Sequence, residues 1–84
     1  MIFPVRVEVS LRPGIADPAA ATITRSLPAM GFEGVSELRT GKAFWLDVEA
    51  ASADEALEKA QALADRLLSN PVIEQSVVCL AEAS

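Results

Sequence analysis

An α+β fold, with two helices on one face of an antiparallel sheet, is what this 84-residue sequence predicts. Three observations carry that expectation. Hydrophobic residues alternate with a period of two near the N-terminus, they recur every three or four positions in two later segments, and turn-forming residues separate these runs. With 51% hydrophobic residues the chain is too apolar to stay disordered. No repeat, linker or low-complexity stretch divides residues 1–84, so they are read as one domain, which buries only about 60 to 65% of the surface its unfolded chain would expose. A core that small cannot hide all of this apolar surface, and oligomerisation is the expected outlet.

In residues 3–11, Phe3, Val5, Val7, Val9 and Leu11 point one way and Arg6, Glu8 and Ser10 the other, the mark of a half-buried strand. Pro13-Gly14 ends it. Asp17-Pro18 then supplies an N-cap and a proline at the first helical position, where its missing N–H costs nothing. Ile23, Leu27 and Met30, with Ala19 and Ala20, give that helix a buried stripe. Pro28 cannot donate to the Thr24 carbonyl, so the helix is expected to kink or end early, with Gly31 as a left-handed stop and Phe32 packing back.

Residues 35–40 and 43–48 read as two extended runs around Gly41-Lys42, a hairpin whose turn is cationic through Arg39 and Lys42. On the second run Phe44, Leu46 and Val48 share one face, and Ala43, Trp45, Asp47 and Glu49 the other. Ser52 and Glu55 have capping-box spacing ahead of a helix starting at Ala53. Its apolar stripe is Ala56, Leu57, Ala60, Leu63, Ala64, Leu67 and Leu68. Asn70-Pro71 stops that helix, and a last strand from near Val72 is apolar on both faces, as it would be if another copy covered the sheet's second face. Residues 81–84 are expected to fray. Strand, helix, strand, strand, helix, strand is the order of the ferredoxin-like βαββαβ two-layer sandwich.

The sequence holds no histidine and one cysteine, Cys79. That removes the commonest general base, the histidine-paired nucleophiles and most transition-metal sites. A formal net charge of -5 repels phosphates, and Phe44 and Trp45, being adjacent, face opposite sides of a strand and cannot stack successive bases. Nucleic-acid binding is therefore not expected. Arg12 and Gly14 fall where an acylphosphatase would cradle a phosphate, but the rest of that pattern is missing. No basic leader opens the sequence and no run approaches the ~18 apolar residues of a membrane span, so the reading is a cytoplasmic protein. No catalytic, metal-binding or cofactor-binding residue is assigned to this chain.

Asp17-Pro18, Gly31-Phe32, Val35, Arg39, Gly41-Lys42 and Asn70-Pro71-Val72-Ile73-Glu74 resemble, in order and spacing, the PurS family, the small subunit of the multi-subunit phosphoribosylformylglycinamidine synthase. The resemblance runs over about residues 5–80. It implies a part in the fourth step of de novo purine synthesis, where a PurL-type synthetase uses ATP to activate the amide of formylglycinamide ribonucleotide and a PurQ-type glutaminase releases ammonia. The small subunit of that family is expected to bridge the two, to assist ammonia transfer and to form homodimers or homotetramers. ATP and Mg belong, by the same resemblance, to the synthetase. Candidate partner-interface residues are Arg39, Gly41 and Lys42 at the cationic turn, Trp45 on the following strand, and Asn70, Pro71 and Glu74 after the second helix. Arg39 can grip a carboxylate bidentately, and tryptophan is enriched at interfaces. A reading from another class is a small-molecule-binding regulatory domain of the ACT type, which shares the plan; Arg12-Pro13-Gly14 falls short of the glycine-rich turn such domains carry.

Overall fold

The computed structural model describes residues 1–81. Strand β1 (Ile2–Leu11) is the middle of a three-stranded sheet of order β2-β1-β3, flanked by β2 (Gly41–Glu49) and β3 (Glu74–Leu80), both antiparallel to it. The alternation in β1 has the expected consequence: Val5, Val7 and Val9 are fully buried. Val5 lies opposite Leu46 and Leu80, and Val7 opposite Phe44 and Val78, so the three strands pool their apolar residues on one face.

Helix α2 (Ala53–Leu63) covers that face. Its start follows the sequence: Ser52 Oγ accepts from the Glu55 N–H at 3.2 Å, and Glu55 Oε2 accepts from the Ala51 N–H at 3.2 Å, one residue before the position a standard capping box would use. The residues that meet the sheet are Ala56, Ala60 and Ala64, all buried. Alanine lets the helix axis approach the valines closely, and the larger Leu57, Leu68, Phe3 and Phe44 close the margins as half-buried residues. Leu67, expected in the stripe, is 74% exposed, because residues Ala64–Leu68 widen into a π-turn that rotates it outward. Ser69 closes this turn, its N–H and Oγ both donating to the Ala64 carbonyl at 2.9 and 2.8 Å, and the chain leaves through Asn70-Pro71 as expected.

Helix α1 (Pro18–Ser26) obeys its own local signals. Pro28 ends it early by opening a short 3-10 turn (Pro28–Met30), Gly31 adopts φ +85° and the Phe32 N–H donates to the Leu27 carbonyl at 3.0 Å. Its expected buried stripe is not formed. Only Ala20 is buried, while Ile23 is 44% and Met30 68% exposed, because α1 stands off from the sheet instead of lying on it.

The expected hairpin is also absent. Residues 35–40 form no strand, since Gly34 and Glu37 take positive φ values of 78° and 57° that a pleated strand cannot contain. Gly41 and Lys42 are the first residues of β2, opposite Ser10 and Val9, and β2 takes β1 as its partner. Gly41 is required for a different reason from a turn: a Cβ there would sit 2.8 Å from the Val9 carbonyl oxygen. The fold is α+β and ferredoxin-like with the second strand replaced by an irregular segment. Residues 12–40 thus form an arm. The radius of gyration, 16.2 Å, and the dimensions of 51 × 32 × 15 Å describe an elongated molecule, against about 12 Å for a compact domain of this length. Ala81 is tied down, its N–H donating to the Pro4 carbonyl at 2.9 Å; the rest of the tail expected to fray, residues 82–84, lies outside the described residues.

Candidate functional site

The sheet's ends and its uncovered face place the candidate residues in two groups. At one end, where β2 begins and β3 begins, Lys42 Nζ lies 3.7 Å from Glu74 Oε2. Glu74 Oε1 accepts from the Asn70 N–H at 2.8 Å, and the Asn70 carbonyl accepts from the Ile73 and Glu74 N–H groups at 3.1 and 2.7 Å. Asn70 Oδ1 also accepts from the Val72 N–H at 3.2 Å. The segment from Asn70 to Glu74 is therefore a locked turn, and the fold joins it to Lys42 from 28 or more residues earlier in the chain.

Arg12, considered from the sequence only as a phosphate-loop or glycine-turn residue, belongs to the same group. Its Nε donates to the Pro71 carbonyl at 2.9 Å and its N–H to the Ile73 carbonyl at 2.8 Å, which ties the start of the arm to the turn. A pattern search could not have found this, because the acceptors are backbone groups some sixty positions away. A shallow cavity of about 300 Å³ opens here, lined by Leu11, Thr40, Gly41, Lys42 and Glu74 among others. Arg39 and Glu37 border an adjoining hollow with Lys42. Arg12, Arg39 and Lys42 share this end with Asp17, Glu37 and Glu74, so the basic groups the sequence pointed to stand among carboxylates and the surface is mixed in charge.

The second group lies on the face that α2 leaves open. Trp45 sits there opposite Arg6, which in turn lies opposite Cys79; Trp45 is 71% exposed, and Val77, on β3 across the central strand, is 59% exposed. Arg6 Nε approaches Glu8 Oε1 to 3.3 Å, an exposed pair worth little by itself. Trp45 does not line the hollow that Arg39 and Lys42 border, but Ala43 and Val77, two positions along the same face, do.

The surroundings of Asp17 alter its titration. Hydrogen bonds from the Ala20 and Thr40 N–H groups, strengthened by the Thr40 hydroxyl, hold its pKa below the ordinary aspartate value. Among the described residues no group of three His, Cys, Asp or Glu side chains is placed to hold a metal ion, and no helix is long and apolar enough to cross a membrane.

This geometry offers surfaces, and comparison with known proteins gives them a context. The family model for PurS, phosphoribosylformylglycinamidine (FGAM) synthase, matches residues 4–82. The chain belongs to the PurS family. A PurS subunit of this synthase from Synechocystis is 39% identical over 69 residues, covering 82% of this chain and 69% of the relative. Its counterpart from Archaeoglobus fulgidus is 36% identical, covering 82% of this chain and 86% of the relative. A chain in the PurLQS structure from Thermotoga maritima superposes with a TM-score of 0.88 at 33% identity, covering 96% of this chain and 99% of that one. Membership in PurS accounts for the whole βαβαβ plan, the arm included, and sets aside the ACT-type alternative.

Proposed function

We propose that this chain is the small, non-catalytic subunit of an FGAM synthase, joining a PurL-type synthetase to a PurQ-type glutaminase and assisting the transfer of ammonia between them in the cytoplasm. The observation that supports this best is the near-complete match to a chain from a PurLQS structure, arm and sheet together. The site chemistry fits a subunit of this kind. Its polar groups are spent on holding turns, and what it presents outward is an end of mixed charge bearing Arg39 and Lys42 and an open face with an exposed tryptophan, features suited to docking. ATP and Mg would be bound by the synthetase.

Arg39, Gly41, Lys42, Asn70, Pro71 and Glu74 form one proposed contact surface for an acidic patch on a partner, and Trp45 a second. Self-association belongs to the same reading: β2 and β3 both leave an edge unpaired, and so elongated a chain keeps more surface than an 84-residue monomer needs. Homodimers or homotetramers would pair such edges.

Reconstitution tests the proposal. With PurL-type and PurQ-type subunits, omitting this chain should abolish glutamine-dependent product formation and spare the reaction supplied with free ammonia. Full glutamine-dependent turnover without it would overturn the assignment. Arg39→Ala with Lys42→Ala should keep the circular dichroism spectrum and weaken co-elution with the partners by about tenfold; unchanged co-elution would remove Arg39 and Lys42 from the interface.

A further inference from the structure

Asp17 does more than cap α1. Its Oδ1 accepts from the Ala20 N–H at 3.0 Å, the ordinary N-cap bond, while Oδ2 accepts from the Thr40 N–H at 2.9 Å. The Thr40 hydroxyl donates to the same carboxylate, 3.1 Å from Oδ1 and 3.0 Å from Oδ2. The N-cap of the arm's helix is therefore tied to the last residue before β2, across 23 positions of sequence.

The arm has little else to fix it. Its helix buries only Ala20, Ile23 and Met30 are largely exposed, and the segment returning to the sheet has no regular structure. We infer that the Asp17–Thr40 clasp is a positioning device that closes residues 17–40 into a unit and sets how this unit leaves the sheet. The chemistry suits the task. A carboxylate is the only side chain that can accept from two backbone N–H groups and a hydroxyl at once while complementing the positive end of a helix. The clasp is independent of the core, so releasing it frees the arm and leaves β1, β2, β3 and α2 in place.

Two substitutions separate the clasp from the cap. Asp17→Asn keeps an oxygen for the Ala20 N–H, since asparagine is as good an N-cap, but sets an amide donor against the Thr40 N–H. Thr40→Val keeps the shape and removes the hydroxyl. Trypsin reads the outcome in the intact protein, because Arg25 and Arg39 lie on the arm, the bond after Arg39 contains the clasped N–H, and Lys59 and Arg66 on and after α2 serve as internal controls. Both variants should be cut at Arg25 and Arg39 about fivefold faster than the parent, with Lys59 and Arg66 changed much less, and the double variant should add little to Asp17→Asn. Unchanged arm cleavage in Asp17→Asn would overturn the inference, and so would an equal rise at all four positions, which would show a contribution to global stability and no positioning of the arm.

Discussion

The sheet with α2 and the arm of residues 12–40 both carry alanine and aliphatic residues in regular patterns, yet one is a core and the other is not. In the first, Val5, Val7 and Val9 meet Ala56, Ala60 and Ala64 with nothing between them. In the second, α1 has an equally regular stripe but finds no surface in its own chain, so Ile23, Met30 and Phe32 stay largely exposed. An amphipathic pattern reports that a helix wants a partner and says nothing of whether that partner lies in the same molecule. The chain keeps its core in one region only, while exposed apolar side chains occur in both, Met30 and Phe32 on the arm and Trp45, Leu67 and Val77 on the sheet and after α2.

Charge placed in the two regions should break the comparison most sharply. Val7→Asp puts an unpaired carboxylate under α2 and is expected to cost more than about 4 kcal/mol, enough to unfold so small a domain. Ile23→Asp, on the arm, should change the melting temperature of the isolated chain little, by about 1 kcal/mol or less in free energy. Comparable losses in thermal denaturation would mean that α1 is packed in the free protein.

Gly41→Ala sharpens the boundary between the regions. The new methyl group would press on the Val9 carbonyl, a backbone atom of the central strand that cannot rotate away, and the expected cost is about 1 to 3 kcal/mol. If Gly41 served only a flexible turn, alanine there would be nearly neutral. Chemical denaturation decides between the two.

Local signals in the sequence were read well where a single residue does one job. The N-cap at Asp17, the early end forced by Pro28, the left-handed Gly31, the Ser52 cap and the Asn70-Pro71 stop all act within a few residues, and all are present. The hairpin was misread because Arg39-Thr40-Gly41-Lys42 carries a turn-like composition, while the pairing of β2 with β1 is a non-local choice made by Phe44, Leu46 and Val48 seeking the valines. A positive φ at Glu37 has no signature in residue type, so the break in residues 35–40 was invisible. Lys42, Asn70, Pro71 and Glu74 were legible one by one as candidates, but their union, with Arg12 as the added tie, depends on three strands meeting at one end.

The smallest expected effect concerns pH, and it tests whether the arm's attachment is ionic. Asp17 titrates below the ordinary value because the Ala20 and Thr40 N–H groups bind its charged form, a preference that the unfolded chain lacks. A depressed folded-state pKa contributes stability above the unfolded value and loses it as pH falls through the folded value. The parent should therefore melt slightly above Asp17→Asn near neutral pH, and that gap should stay constant on acidification until the ordinary aspartate value of 3.8 is passed, then close. Asparagine cannot titrate, so its own curve supplies the background from all other carboxylates. A gap that stays open well below that value would show that the protonated side chain holds Thr40 equally well, and the arm would then be secured by hydrogen bonding that needs no charge.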